Sequence, residues 1–100
     1  MEKLKAHYSL QEINLIVKRD GSRSFTFAAQ HGAENMGLSR AEAVGVILAL
    51  TSTMLHKSMT TNSDSRVWQD VYHAPCPNGK IAYIKLTVQD GAVVIQFMEK

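Results

Sequence analysis

The chain has 100 residues, 45% of them hydrophobic and 20% charged, with a formal net charge of +2. That balance predicts one folded domain, residues 1–100, with a modest core, and excludes a disordered polyelectrolyte. No window approaches the roughly 18 apolar residues of a membrane span, "MEKLKAHYSL" lacks the apolar run of a secretory leader, and the single Cys76 can form neither an internal disulfide nor a thiolate cluster, so the cytoplasm is the expected compartment.

The first half reads as helices. In "SLQEINLIVK", Ser9 and Glu12 form a capping-box signature, and Leu10, Ile13, Ile16 and Val17 make one apolar stripe. "RDGSRS" breaks this helix at Gly21. "FTFAAQHGAENMG" predicts a weaker helix, favoured by Ala28, Ala29 and Ala33, weakened by Gly32 and ended by Gly37. Phe25 and Phe27 read as core residues. A second capping box, Ser39 with Glu42, precedes "AVGVILAL", whose Val44, Ile47, Leu48 and Leu50 predict the most buried helix.

The second half changes period. Leu55 to Thr60 is a candidate strand, and "VWQDVYH" is another. "APCPNGK" reads as a loop because Pro75 and Pro77 lack a ladder N–H and Asn78-Gly79 favours a turn. "YIKLTVQ" alternates, with Ala82, Ile84, Leu86 and Val88 on one face and Tyr83, Lys85 and Thr87 on the other. "QDG" signals a hairpin turn. In "AVVIQFME", Val93, Ile95 and Phe97 then share one face, and Val94, Gln96 and Met98 the other. Helices followed by antiparallel strands predict an α+β fold, with N-terminal helices packed on a C-terminal antiparallel sheet. The sheet's second face, left open and polar, is the natural place for a ligand.

The chain has no phosphate-binding loop, dinucleotide fingerprint or nucleophile elbow. His7, His31, His56 and His73 are scattered without ligand-like spacing, so neither a metal nor a cofactor is expected. Lys/Arg and Asp/Glu are spread evenly, with six and five before Thr51 and five and four after it. Any nucleic-acid surface must therefore be gathered by folding. The remaining chemistry suits phosphodiester cleavage through a 2′-hydroxyl, which needs a base, an acid and charge stabilisation. Lys57, Arg66 and Lys85 supply charge, Gln69 a donor, and Tyr83 and His73 groups that move protons. Each of these alone is ordinary in a sheet protein. Trp68 and Tyr72 share a strand face with Asp70 between them and read as fold support. This leaves Gln69 beside Val67 and Val71, an awkwardly apolar setting that a bulge or an edge position would relieve.

"HKSMTTNSDSRVWQDVYH", with "YIKLTV" and "VVIQFMEK", closely resembles the MqsR family of bacterial toxins, and the first half agrees more loosely. The resemblance implies a RelE/YoeB-like α+β fold and a metal-independent mRNA interferase that cuts single-stranded mRNA at GCU-type sites. It also implies a zinc- and DNA-binding antitoxin partner, operator DNA reached only through that antitoxin, and links to biofilm and quorum sensing. The family's catalytic lysine, glutamine and tyrosine match Lys57, Gln69 and Tyr83. His7 matches a histidine before the first helix, and Met59 and Thr60 fall in the shared run near the pocket. The chain departs from a familiar member of the family, which has Tyr-Arg-Pro where this chain has Tyr72-His73-Ala74, and in a loop before Tyr83 that is one residue longer. His73 replaces a permanent charge with a titrating one. Two alternatives share these residues: a non-catalytic RNA-binding module, and a regulatory partner of the antitoxin. Retention of Lys57, Gln69 and Tyr83 argues against both.

Overall fold

The computed structural model describes all of residues 1–100. Helices α1 (Leu10–Asp20), α2 (Phe27–Asn35) and α3 (Arg40–Leu48) precede strands β2 (Leu55–Thr60), β3 (Trp68–Pro75), β4 (Ile81–Gln89) and β5 (Ala92–Glu99). A strand of two residues, β1 (Glu2–Lys3), adds an unforeseen edge beside β2. The sheet is a five-stranded antiparallel meander in the order β1-β2-β3-β4-β5. The helices cover one of its faces, which bears out the expected α+β architecture. No helix is long and apolar enough to cross a membrane.

Ser9 caps α1 by accepting from the Glu12 amide at 3.3 Å, but only this half of the expected capping box forms. Ile13, Ile16 and Val17 are buried as the stripe requires, and Gly21 ends the helix at φ +59°. Around Ser39 the full box is present, with the Ser39 amide donating to Glu42 at 2.9 Å and the Glu42 amide to Ser39 at 3.1 Å. Helix α3 buries Ala43, Val46 and Ile47 but leaves Val44 and Leu48 half-buried, so it lies no deeper than α1.

Helix α2 packs closely against the sheet. A Cβ at Gly32 would collide with the carbonyl oxygen of Phe97, so the residue that weakens this helix is also what lets it lie on β5. Its inward face is Ala29 and Ala33. Phe25 is core, bridged to Ile95 with its ring 5.7 Å from that of Phe97. Phe27 is not: it is 83% exposed, because as the first residue of α2 it lies about 200° around the helix from Ala29.

The β4–β5 hairpin turns through Asp90 at φ +52° and Gly91 at φ +74°, the pair of positive values that the mirror-image two-residue turn requires. Strand β3 runs further than expected: Ala74 and Pro75 pair with Ala82 and Ile81, so the loop begins at Cys76. Pro75 is tolerated as the last residue of the strand. The Asn78 side chain ties this loop to α2 by donating to the Met36 carbonyl at 2.6 Å.

Tyr72, Ile84, Leu86, Ile95 and Phe97, all at most 1% exposed, form the sheet's half of the core. Asp70 lies on that same face, fully buried, and accepts from the His7 amide (2.9 and 3.0 Å), the Tyr8 amide (2.9 Å) and the Ser58 hydroxyl (2.6 Å). This carboxylate fastens the N-terminal segment to the middle of the sheet. Beside it, burial and then the charge of Asp70 push the Tyr72 hydroxyl up to about 12.

Candidate active site on the open face of the sheet

Strand register decides which candidates meet. Residues directly opposite in an antiparallel pair project to the same face. Lys57 pairs with Val71, Val71 with Lys85, and Lys85 with Gln96, giving one row across β2 to β5 on the face away from the helices. On one side of this row lies His73–Tyr83–Met98, and on the other Met59–Gln69. Thus Lys57, Met59, Gln69, His73, Tyr83 and Lys85 share one face. With strands about 4.8 Å apart and about 6.7 Å between alternate residues, the Cα atoms of Lys57 and Tyr83 lie roughly 12 Å apart, a span that two long side chains reach into.

The apolar neighbourhood of Gln69 resolves without a bulge in β3. Val71 is fully buried yet stands apart from the main core. Flanked by Lys57 and Lys85, it is a small apolar floor under two lysine stems. Gln69 borders an open recess of about 260 Å³, whose walls include Thr61, Thr87 and Val94. The Lys85 ammonium sits 5.9 Å from the centre of the Tyr83 ring. The Lys57 ammonium pairs with Glu2 of β1 at 3.1 Å.

A bulge does occur, in β2. Leu55 pairs with Tyr72 and Lys57 with Val71, so His56 is an extra residue in the strand. It therefore lies on the open side with Lys57, and its ring stacks on His73 at 4.4 Å and 19°. His73 in turn lies 5.4 Å from the Tyr83 ring. Burial, and then the charges of Lys100 and His56, hold the His73 imidazole below its ordinary range.

Three expected candidates are placed elsewhere. Thr60 has the parity of Ser58, is buried on the helix side, and accepts from the N-terminal ammonium at 3.1 Å. His7 also lies on the helix side, stacked on Trp68 at 5.2 Å, with Lys3 at 3.0 Å from its Nδ1. Arg66 sits in the β2–β3 loop, paired with Asp64 at 3.1 Å. Strand parity explains the first, the Asp70 carboxylate that holds the His7 amide the second, and the short local ion pair the third. Sequence reading passed over His56 and Glu2. Nothing in the sequence marks a bulge at His56, and a strand of two residues has no periodicity to read. No three His, Cys, Asp or Glu side chains converge as metal ligands.

The family model described as "motility quorum-sensing regulator, toxin of MqsA" matches residues 5–99. The chain belongs to this family. It is also similar to the mRNA interferase toxin MqsR of Escherichia coli (strain K12), with 35% identity over 100 residues that cover the whole of both chains. The match spans every element from α1 to β5 and both faces of the sheet. The residues gathered on the open face all lie within the matched range.

Proposed function

We propose that this chain is the toxin of a toxin–antitoxin pair and an endoribonuclease that cleaves single-stranded mRNA, at GCU-type sites, by attack of the RNA's own 2′-hydroxyl. The observation that carries this reading is the gathering of Lys57, Gln69, Tyr83 and Lys85 on one open sheet face. Family membership and the mRNA interferase activity named for the Escherichia coli relative support it.

In this mechanism the Lys57 ammonium faces the scissile phosphate and offsets the charge that builds as the 2′-oxygen bonds to phosphorus. Its partner Glu2 is an exposed carboxylate whose hold is weak, about 0–1 kcal/mol for such a pair, so a phosphate displaces it readily. Gln69 donates its amide N–H to a phosphate oxygen or a base edge beside the recess. The Tyr83 hydroxyl donates to the leaving 5′-oxygen. Lys85, with no carboxylate partner, holds a neighbouring phosphate. Arg66 lies outside this cluster and contributes only a peripheral backbone contact. Metal plays no part in these steps. A cognate zinc- and DNA-binding antitoxin restrains the toxin, and operator DNA is reached only through that antitoxin.

The test is product chemistry. Purified protein, with chelator present, is expected to cut a GCU-containing single strand and leave a 2′,3′-cyclic phosphate. Replacing the attacking nucleotide by its 2′-deoxy form should abolish that cut. Cleavage that persists on the deoxy substrate overturns the 2′-hydroxyl mechanism. An RNA that is bound but left intact favours the non-catalytic reading.

A further inference from the structure

The mechanism above has no base. As classes, lysine and tyrosine side chains exchange protons near pH 10, and imidazole exchanges them near neutrality. Two imidazoles stand on the open face. His56 is exposed, and the β2 bulge turns it to the side of the adjacent Lys57. His73 lies beneath it, 4.4 Å away and nearly parallel. The two rings are not equivalent: the Nε2 of His73 is buried and has no hydrogen-bond partner. Protonating His73 there would bury an unpaired charged donor. The cationic Lys100 adds to that cost, and the Glu2 carboxylate on the neighbouring edge strand is taken by Lys57. Tyr83 closes the row on the β4 side, 5.4 Å from His73. His73 is therefore a neutral platform, and His56 is the exposed ring of the pair.

We propose that His56 is the proton-transfer residue of this site and that His73 is a positioning residue that holds its ring over the sheet. The inference rests on the ribonuclease reading above and supplies its missing base. A neutral His56 ring nitrogen accepts the proton of the 2′-hydroxyl while the O2′–P bond forms. The P–O5′ bond breaks with its electron pair going to O5′, which takes a proton from the Tyr83 hydroxyl. The products are a 2′,3′-cyclic phosphate and a free 5′-hydroxyl. The His56 imidazolium releases its proton to solvent, and the Tyr83 oxygen recovers one. Stacking on His73 keeps the exposed ring from swinging away, so the two rings divide placement and chemistry between them.

The experiment is single-turnover cleavage of a GCU-containing RNA from about pH 5 to pH 9, with Lys57→Ala as a reference. His56→Ala and His56→Gln should each lower turnover about 10²- to 10⁴-fold and remove the limb of the profile near neutrality. Because His56 is exposed, both variants should keep the fold, as circular dichroism will register. Free imidazole should restore part of the rate to His56→Ala and none to Lys57→Ala. His73→Ala should slow turnover while keeping the neutral limb, and His73→Phe, which retains a stacking ring, should recover most of the rate. If the unmodified protein cleaves and Lys57→Ala does not, yet the His56 variants stay within about threefold of it, the proposal is overturned and the ribonuclease reading stands. Loss of the neutral limb in His73→Phe but not in His56→Ala overturns the division of roles. An unmodified protein that cleaves no RNA overturns the ribonuclease reading and this inference together.

Discussion

Replacing Asp70 with alanine should cost the fold about 3–5 kcal/mol, a large part of the roughly 5–15 kcal/mol that holds a domain together. The carboxylate is fully buried and accepts from two backbone amides and the Ser58 hydroxyl, all at 3.0 Å or less. A hydrogen bond to a charged group contributes about 1.5–3 kcal/mol, and a buried donor left alone costs about 1–3 kcal/mol. Ser58 is fully buried and has only the distant Gln69 carbonyl, at 3.5 Å, to turn to. The His7 and Tyr8 amides are part-buried and regain some of their loss from water, which keeps the sum below that of three full bonds. At about 4–8 °C per kcal/mol for a domain of this size, the melting temperature should fall by about 12–40 °C. Urea unfolding followed by circular dichroism gives the free energy, and hydrogen exchange should show the His7 and Tyr8 amides losing protection ahead of the core. Asp70→Asn should fall between, since one oxygen still accepts while the new NH₂ faces donors. A loss below about 1 kcal/mol in Asp70→Ala would refute the view that this carboxylate anchors the N-terminal segment.

Gly32→Ala should destabilise the protein by about 1–3 kcal/mol although alanine is the better helix former, because the new methyl meets the Phe97 carbonyl; a raised melting temperature would contradict that packing. The depressed His73 imidazole makes stability depend on pH. Between its folded value and the ordinary 6.5 the unfolded chain binds more protons, so stability falls as pH drops through that window and levels off below it. His73→Phe should flatten this slope in urea titrations across the window, and an unchanged slope assigns it to other groups. Glu2→Gln should free Lys57 and tighten single-stranded RNA binding up to about fivefold at low salt, the equivalent of an exposed ion pair, as read by fluorescence anisotropy. Unchanged affinity would mean that Glu2 does not compete with phosphate.

Much of this was legible where a local rule and the tertiary fold agree. The β4–β5 hairpin follows from strict alternation and Asp90-Gly91, and the α1 stripe and the Ser39 box follow from helical spacing. What escaped depends on register and contact between distant segments. Strand β1 is too short to carry a pattern, and its place is set by pairing with Met59 and Ser58. Phe27 satisfies every compositional test for a core residue, yet the small face of α2 excludes it. In the site, adjacency along the chain misled at Met59-Thr60, because consecutive strand residues face opposite ways. At His56-Lys57 the reverse holds, since a bulge brings consecutive residues to one side. Asp70 did carry a signal, a charge between two aromatics on one strand face, but the two amides it anchors lie more than sixty positions away.

The central claim is that the working surface is the open face of the sheet and not the helix side. The direct test compares RNA cleavage by Lys57→Ala and Gln69→Ala with that by His7→Phe, which keeps a ring on Trp68. The first two should lose about 10²-fold or more in turnover while staying folded, and His7→Phe should stay within a few-fold of the unmodified protein. Cleavage that survives at Lys57→Ala and Gln69→Ala but fails at His7→Phe would move the active site to the other side of the sheet.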